Sequence, residues 1–357
     1  MDLMPLVSSR PSAHRSPVVR RFVRFLPFLF AVLLFAEARG QSGERLYPIT
    51  GAGGVGYVDA AGVVVVPPSY GQGRDFTGGR AAVRREGLWG FIDATGREVV
   101  APAYDEVADF AGGHARVRRG GLWGFIDAAG AVAVPPRYEA AFDFSGGKAP
   151  VKLADPPRGA KDGWGFIDTT GVFVIAPAFE GARSFDGGLA PAAVMRKFLF
   201  IRLEKRWGFI DERGGWAVKP AFVSVHGFSE GLALVGTGKR NGYVDARGEV
   251  VIPVAYDQAY PFAEGRARVA EGGRWGYLDT SGALVIPLAY EAALDFREGL
   301  APVRQDGRWG YVDREGRVVI APRFERAWPF KGALARVRLD GRPAYIDRRG
   351  AVVWTAR

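Results

Sequence analysis

The sequence predicts an all-β fold, built as a tandem array of about nine three-stranded antiparallel β-meander repeats of about 34 residues. A phrase of aromatic, Gly, aromatic, aliphatic and Asp residues recurs along the chain, and its successive starts are 34, 34, 41, 43, 34, 34, 34 and 34 residues apart. The 50 Gly and 23 Pro of the 357-residue chain recur at turn positions of the copies. The fixed period indicates a repeat fold, and the Gly and Pro content argues against helices.

The middle strand of each repeat carries this phrase, which runs in one copy from Trp89 to Asp93. A Gly beside each Trp lets another backbone come close, and burying a Trp removes about 150–250 Å² from water. We therefore predict that the Trp side chains form the repeat core, with a row of ligand-stacking aromatics as the alternative. The six Trp residues are Trp89, Trp123, Trp164, Trp207, Trp275 and Trp309, and the degenerate copies start at Val55, Asn241 and Pro343.

Two further strands complete the repeat. Small or apolar residues alternate with basic ones from Ala115 to Arg119, which is typical of a strand. After the middle strand, an Asp-x-x-Gly step predicts a turn, because Asp accepts backbone N–H bonds and Gly supplies a positive φ. A third apolar strand follows, such as Glu98 to Val100, and we expect Pro102 to end it because Pro cannot donate to the ladder.

The connector between repeats has its own fixed pattern. An aromatic residue, usually followed by an acid, precedes a Phe, and an Ala always comes five residues after that Phe. The constant step predicts one conformation, in which the two aromatics wedge between adjacent sheets. The connector Phe residues are Phe110, Phe144, Phe185, Phe228, Phe262, Phe296 and Phe330.

The ends of the array bear on its arrangement. The first copy begins with a complete first strand (45–49), and the last copy ends with a complete third strand (352–354). A closed propeller commonly shares the strands of one blade between the two chain ends. Flush ends therefore favour an open β-solenoid, with a propeller-like closed ring as the alternative.

Residues 1–38 differ from the rest and predict a secretory signal. Five Arg precede an apolar run from Phe25 to Ala36, and Ala36 to Ala38 offers small residues for cleavage. Removal of this segment would lower the net charge from +10 to +7. We expect a periplasmic, extracellular or cell-surface protein, with an uncleaved anchor as the alternative. A short linker (39–43) then leads into the array (44–357), which has no Cys and so no disulfide.

The repeat unit resembles the bacterial WG-repeat family, also called KWG repeats. Its consensus of Trp-Gly-[Phe/Tyr]-Ile-Asp-x-x-Gly, followed by aliphatic-Pro-x-Tyr, matches in register over about residues 44–357. The resemblance implies interaction or scaffold repeats, often on exported proteins. It implies no shared chemistry and no catalytic residues.

Motifs that could carry chemistry are explained by the repeat. Ser229 lies in a G-x-S-x-G match, but this slot is an ordinary connector without the strand-to-helix turn of a nucleophile elbow. The G-x-G-x-x-G match at 51–56 precedes a strand where a helix is required. His114 and His226 have no second ligand nearby in sequence, and each Asp-x-x-Gly turn offers one carboxylate. We therefore predict no enzyme and no catalytic, cofactor-binding or metal-binding residue.

Two insertions lengthen the same hairpin in neighbouring repeats, near 153–162 and 195–206. Insertions at one repeat position map to one face of an array, often the binding face. Our hypothesis is a partner-contact site, and the alternative is drift of a tolerant surface loop. The candidate residues are Arg158, Lys161, Arg196, Lys197, Phe198, Phe200, Arg202, Lys205 and Arg206.

Basic residues on the predicted first strands bear on the partner. Stacking would align them into a stripe for anions, or into a solvated edge that discourages aggregation. We expect an exported scaffold that binds an unknown protein or an anionic envelope polymer, with no small-molecule substrate. A carbohydrate-binding module with exposed connector aromatics is the alternative. The basic residues are Arg84, Arg85, Arg116, Arg118, Arg119, Lys152, Arg268, Arg304, Arg336 and Arg338.

Overall fold

The structure is a computed structural model that describes residues 45–155, 163–198 and 201–356. The predicted signal (1–38) and linker (39–43) lie outside these residues. All regular secondary structure in the described part is β, and no helix there has the length and apolar character needed to cross a membrane. The predicted all-β class is confirmed.

The described strands form nine modules, one for each copy of the repeat. Module 1 contains β1 (Tyr47–Gly51), β2 (Gly54–Val58) and β3 (Val64–Tyr70). Modules 2 and 3 contain β4 (Gln72–Gly73), β5 (Arg80–Arg85), β6 (Leu88–Asp93), β7 (Glu98–Tyr104), β8 (Glu106–Val107), β9 (His114–Arg119), β10 (Leu122–Asp127) and β11 (Val132–Ala141). Modules 4 and 5 contain β12 (Ala149–Leu153), β13 (Trp164–Ile167), β14 (Phe173–Phe179), β15 (Gly181–Ala182), β16 (Ala190–Phe198), β17 (Ile201–Ile210) and β18 (Trp216–Phe222).

Modules 6 and 7 contain β19 (Ser224–Ser229), β20 (Leu232–Gly236), β21 (Asn241–Val244), β22 (Val250–Tyr256), β23 (Gln258–Ala259), β24 (Ala267–Glu271), β25 (Arg274–Leu278) and β26 (Leu284–Tyr290). Modules 8 and 9 contain β27 (Ala292–Ala293), β28 (Ala301–Gln305), β29 (Arg308–Val312), β30 (Val318–Phe324), β31 (Arg326–Ala327), β32 (Ala335–Leu339), β33 (Arg342–Ile346) and β34 (Val352–Thr355).

Each sheet is an antiparallel meander in sequence order. We call its strands short, first, middle and third; the last three are the predicted meander, so the tandem array is confirmed. The short strand, which the connector contributes in modules 2–9, was not expected. Module 4 receives its short strand from β11, which continues from module 3 and joins the two modules into one seven-stranded sheet.

The third strand does not end at its Pro, which corrects the expectation for Pro102. In module 2, β7 runs through Pro102 to Tyr104. Trp89 pairs with Tyr104 and Phe91 pairs with Val100, so three residues of the third strand (101–103) face the single Gly90 of the middle strand. A residue without an N–H fits such a bulge, because ladder bonds are interrupted there.

The bulge explains the Gly of the recurring phrase. A β-carbon on Gly276 would lie 2.8 Å from the carbonyl carbon of Pro287 and still closer to the carbonyl oxygen of Ile286. Module 9 has Ala344 at this position, and its third strand β34 contains no Pro. Ala344 pairs directly with Thr355. The backbone of the third strand, which leaves no room for a side chain at this position in the other modules, is therefore not forced against Ala344.

Hydrophobic clusters hold the array together, and each takes its residues from two neighbouring modules. At the centre of eight of them, the second aromatic of a middle strand contacts the connector Phe of the next module, with ring centroids 4.6–5.1 Å apart. The connector aromatics therefore wedge between sheets, as predicted. The pairs are Tyr57–Phe76, Phe91–Phe110, Phe125–Phe144, Phe166–Phe185, Phe209–Phe228, Tyr243–Phe262, Tyr277–Phe296 and Tyr311–Phe330.

A ninth cluster joins the two ends of the array. Tyr47, Ile49 and Val58 of module 1 pack there against Leu334 and Tyr345 of module 9. Of the two arrangements that the sequence left open, these contacts are those of the propeller-like closed ring. The complete strands at the two ends of the array favoured an open arrangement. The terminal modules nevertheless meet, because each has an apolar face that the other covers.

Tyr47 adapts module 1 to this joint. Modules 2–9 have Ala at the equivalent position of the first strand, whereas the Tyr47 ring lies 5.5 Å from the Tyr345 ring and takes the place of a connector Phe. Two hydrogen bonds cross the joint. The Tyr345 hydroxyl donates to the Pro48 carbonyl (2.7 Å), and the Ala333 N–H donates to the Tyr47 hydroxyl (3.1 Å).

Glutamate side chains also link successive connectors. Glu230 accepts the Gly265 N–H at 2.9 Å, and Glu264 accepts the Gly299 N–H at 2.7 Å. Glu230, Glu264 and Glu298 each have a φ of 55°, a region that costs a non-Gly residue about 1–3 kcal/mol. Charge-assisted bonds to the next connector offset this cost.

We predict that Gly276→Ala lowers the free energy of unfolding by about 1–3 kcal/mol, because the added methyl group must displace the bulged backbone of Pro287. Denaturant titration measures this. The control is Ala344→Gly, which should cost no more than about 1 kcal/mol because that position has room for either residue. A Gly276→Ala protein as stable as the wild type would contradict the close approach.

A matched pair of truncations tests the joint between the terminal modules. Leu334 (2% exposed) and Leu300 (4%) occupy equivalent positions at the 9/1 and 8/9 joints. Leu334→Ala and Leu300→Ala should each cost about 2–5 kcal/mol in denaturant unfolding, because both leave a cavity in a closed cluster. If Leu334→Ala were nearly neutral while Leu300→Ala was not, the ends would not be joined in solution.

Candidate partner-binding surface

The insertion in module 5 forms a continuation of the β-ladder. β16 and β17 stay paired from Ala190↔Ile210 out to Phe198↔Ile201, with a bulge after Arg196. The equivalent hairpin of module 7 ends at Glu271↔Arg274, at the turn between its first and middle strands. The ribbon therefore extends beyond the hairpins of modules 6 and 7, the first of which ends at Gly236↔Asn241. We call this end of the sheets the hairpin end.

The structure describes only part of the predicted contact set. In module 4, β12 ends at Leu153 and β13 begins at Trp164, so the first insertion occupies the same hairpin position. Three predicted residues lie outside the described residues: Arg158, Lys161 and Phe200. Six belong to the ladder of β16 and β17: Arg196, Lys197, Phe198, Arg202, Lys205 and Arg206.

Charges on the ribbon are mixed. The Glu204 carboxylate lies 3.8 Å from the guanidinium of Arg196 and also pairs with Arg206. Lys205 donates to the backbone carbonyl of Glu180 at 3.1 Å. The Arg196 side chain is 65% exposed, so its pair contributes little stability, about 0–1 kcal/mol. The described side chains of the ribbon thus carry three cations and one carboxylate.

Most of the basic first-strand residues are paired with carboxylates, so they do not form a free stripe of charge. Arg116 reaches Asp143 at 2.5 Å, and Arg268 reaches Asp295 at 2.6 Å, each across a joint between modules. Five others pair within their own sheet: Arg85 with Glu98, Arg118 with Glu106, Lys152 with Glu139, Arg304 with Glu291, and Arg338 with Glu325. Among the described residues, three have no carboxylate within 4.0 Å: Arg84, Arg119 and Arg336.

The Trp residues of the middle strands lie at the joints. Trp89 is buried, and the other five are half-buried and pack against the clusters: Trp123, Trp164, Trp207, Trp275 and Trp309. Arg side chains cover several of these rings, with the Arg74 guanidinium 4.7 Å from the centroid of Trp89. The covered faces are not free for a ligand.

The connector aromatics are mostly buried as well. Tyr138 and Phe324 are fully covered, and so are most connector Phe rings. Phe142 is an exception at 39% exposed, and it stacks on Trp164 with centroids 5.3 Å apart. Trp216 is 36% exposed. The surface therefore offers isolated aromatic rings.

The motif residues have structural partners. The Ser229 hydroxyl donates to the Phe262 carbonyl at 2.7 Å, which ties one connector to the next. The His114 ring contacts the Phe144 ring. Burial lowers the pKa of His226, and the Arg183 cation lowers it further, so this ring stays neutral at pH 7.

The Asp of the Asp-x-x-Gly turn caps the turn. In module 7, Asp279 Oδ1 accepts the N–H groups of Ser281 (2.9 Å) and Ala283 (3.0 Å) and the Ser281 hydroxyl. The Ser281 hydroxyl bond and these backbone bonds hold the Asp279 pKa below its ordinary value of 3.8, and the pKa of Asp168 is lowered likewise through Thr170. Within the described ranges, no group of three His, Asp or Glu side chains could hold a metal ion.

Comparison with known proteins identifies the repeat. The profile described as "WG containing repeat" matches eight tandem segments: 56–89, 89–123, 123–155, 164–194, 207–239, 242–275, 275–309 and 309–342. The chain belongs to the WG-containing repeat family. Its WG segments mostly run from one middle strand to the next, which is why eight of them span nine modules.

Solved structures resemble the WG-repeat array at low identity. The crystal structure of the eukaryotic initiation factor is 13% identical, with 88% of this chain and 96% of that chain covered and a TM-score of 0.63. Apo AztD from Citrobacter koseri is 14% identical over 76% and 91% of the chains, with a TM-score of 0.42. Dihydro-heme d1 dehydrogenase NirN is 13% identical over 88% and 73%, with a TM-score of 0.46. The likeness to the initiation factor shows a similarity of fold alone. No curated protein matches the sequence.

Two cavities lie at the joint between modules 9 and 1, which the sequence did not single out. One of about 530 Å³ and one of about 310 Å³ share Trp328, Arg336 and Tyr345 in their walls. The smaller one is bordered by Pro343, which stands where other copies have Trp. In the sequence, this site is marked by Pro343 at the usual Trp position of the phrase and by Tyr47 at the usual Ala position of the first strand.

The lowered pKa values of the turn aspartates predict acid lability. Their contribution to stability is fully present above pH 3.8 and is lost as the pH falls through the lower pKa of the folded state. The denaturant midpoint should therefore fall below about pH 4. Millimolar Ca²⁺ at neutral pH should leave the midpoint unchanged, because each turn offers a single carboxylate; a rise with Ca²⁺ would contradict the capping role.

Proposed function

We propose that this protein is an exported, non-enzymatic scaffold that binds a protein or an anionic polymer at the cell envelope through its hairpin end at modules 4 and 5. The observation that carries the proposal is the extended ladder of β16 and β17. It lies next to module 4, whose equivalent hairpin also carries an insertion in the sequence.

Packing within the array does not require the ribbon. In the described residues, the cluster between modules 4 and 5 uses Val194 of β16, and the next cluster uses Trp207 of β17. Of the side chains described between these two positions (195–196 and 204–206), none belongs to a cluster. A stretch of β-ladder whose described side chains lie outside the core is retained more readily for contact with a partner than for stability.

The ribbon carries a surplus of positive charge. Of residues 195–206, five are basic and one, Glu204, is acidic. Among the described side chains, Arg196 and Lys205 are exposed, and Glu204 pairs with Arg196 and Arg206. This surplus favours an acidic partner, which is either a protein with an acidic surface or an anionic polymer. Most first-strand cations are paired with carboxylates, so they compete little with the ribbon for such a partner.

Export rests on the predicted signal at residues 1–38. An array held by nine noncovalent clusters suits that role, since its stability does not depend on disulfides. The non-enzymatic reading rests on the structural partners of Ser229 and of the turn aspartates, the side chains that the sequence offered as a nucleophile and as metal ligands.

Carbohydrate binding is a second candidate, favoured by one observation. Phe142, which is 39% exposed, stacks on the half-buried Trp164, and sugar rings bind to flat apolar faces of this kind. Retention on glycans that persists at high salt and disappears in Phe142→Ala would support it. Burial of most other connector aromatics makes it the weaker candidate.

Charge reversal on the ribbon tests the main proposal. We expect Arg196→Glu/Lys205→Glu to reduce capture of envelope proteins or polymers by the immobilised chain at least about tenfold, because several favourable charge contacts become repulsive. Capture is measured by quantitative pull-down from an envelope fraction. Loss that appears only at low salt would identify a polyanionic partner.

The matched control is Arg247→Glu/Arg317→Glu, which makes the same charge change on Asp-x-x-Gly turns at the opposite end of the strands. Both control residues are more than 70% exposed, at 76% and 73%. The control should capture as well as the wild type. Equal capture by the ribbon variant and the wild type would remove the hairpin end as the binding site.

A further inference from the structure

In the described residues, the joint between modules 9 and 1 lacks the short strand that modules 2–9 have. We infer that this joint binds an extended acidic peptide, which adds to the edge of β1 that no described strand covers and places a carboxylate on Arg336. This site goes beyond the proposed function, since it uses neither insertion.

No strand of the described residues pairs with the outer edge of β1. In module 8, the Glu291 N–H donates to the Arg304 carbonyl at 3.0 Å, and this bond fixes the short strand beside the first strand. The equivalent carbonyl in module 1 belongs to Thr50, which is exposed. An extended peptide can therefore form the same bond with Thr50, as in β-strand addition to other sheet edges.

Arg336 is the cationic anchor of the site. Arg116 and Arg268 stand at the equivalent position of modules 3 and 7. Arg268 donates through Nε to Asp295 (2.6 Å) and through Nη1 to the Ala293 carbonyl (2.8 Å) of the next module, and Arg116 makes the same two contacts with its neighbour. No described carboxylate lies within 4.0 Å of Arg336, whose guanidinium rests 4.3 Å from the Trp328 ring centroid.

The cavities give this peptide room. The two cavities, of about 530 and 310 Å³, share Arg336 and Trp328, and Pro48 and Thr50 line the smaller one. Trp354 and Pro343 add apolar surface. A side chain that precedes the carboxylate therefore has an aromatic wall to pack against.

The chain itself supplies the template for the ligand. The short strand β27 (Ala292–Ala293) and Asp295 supply the groups that Arg268 receives. Arg268 contacts two groups there: the Ala293 backbone carbonyl and, two residues later, the Asp295 carboxylate. An acidic peptide with this spacing offers the same groups to Arg336, and the bidentate, charge-assisted geometry selects for it.

The probe is a fluorescent peptide with the sequence of residues 290–295, Tyr-Glu-Ala-Ala-Leu-Asp, measured by anisotropy with the full-length chain. We expect saturable binding that weakens about tenfold when Asn replaces the peptide Asp, because the charge-assisted pair is lost. N-methylation at the Glu, which removes the N–H for Thr50, should weaken binding similarly. Arg336→Gln should bind both the Asp and the Asn peptide equally weakly.

Arg247→Gln is the matched control and should bind as the wild type does, since it removes the same charge from an exposed turn. The two altered peptides need no change to the protein, so the inference stays testable even if Arg336→Gln fails to fold. Absence of peptide binding overturns the inference. This outcome includes the case in which the chain's own residues before Arg45 occupy the site. Equal binding of the Asp and Asn peptides to the wild type also overturns it.

Discussion

Each sheet of this protein has two apolar faces, and the array depends on covering both of them with neighbouring sheets. Every cluster in the described residues draws on two modules, and a middle-strand aromatic contacts an aromatic of the next module in each. A stack with free ends would leave one apolar face bare at each end. Contact between modules 1 and 9 buries both of these end faces, because each of them covers the other.

The period and phrase of the sequence were sufficient for the fold class, the tandem modules and the wedged connector Phe residues. Whether the ends meet could not be read from them, because closure depends on the small rotation between modules, which no single residue encodes. Tyr47 carried the one local signal, a large ring where other copies have Ala. The course of the third strand past Pro102 was missed, because a bulge can accept a residue without an N–H.

Site prediction from the sequence was limited by charge pairing. The first-strand cations recur at strand spacing, but their acidic partners lie on other strands or in the next module, as Arg116 and Asp143 show. Spacing along the chain does not reveal such pairs. The insertion before Trp207 was visible as a break in the period, yet its form as a regular ladder depends on pairing between β16 and β17. Arg336 is recognised as a cation without a described acidic partner only when it is compared with Arg116 and Arg268, which stand at equivalent positions and are paired.

Closure also constrains how the gene for such a protein can change. Tandem duplication lengthens an open stack without disturbing existing contacts. In this chain, a tenth copy added at an end would separate Tyr47 from Tyr345, and one added between internal modules would change the summed rotation that brings these two rings together. Growth and loss of repeats should therefore be rarer than lengthening of single hairpins, which leaves the circle of contacts intact. The extra residues of modules 4 and 5 show the route by which such a lineage can diversify.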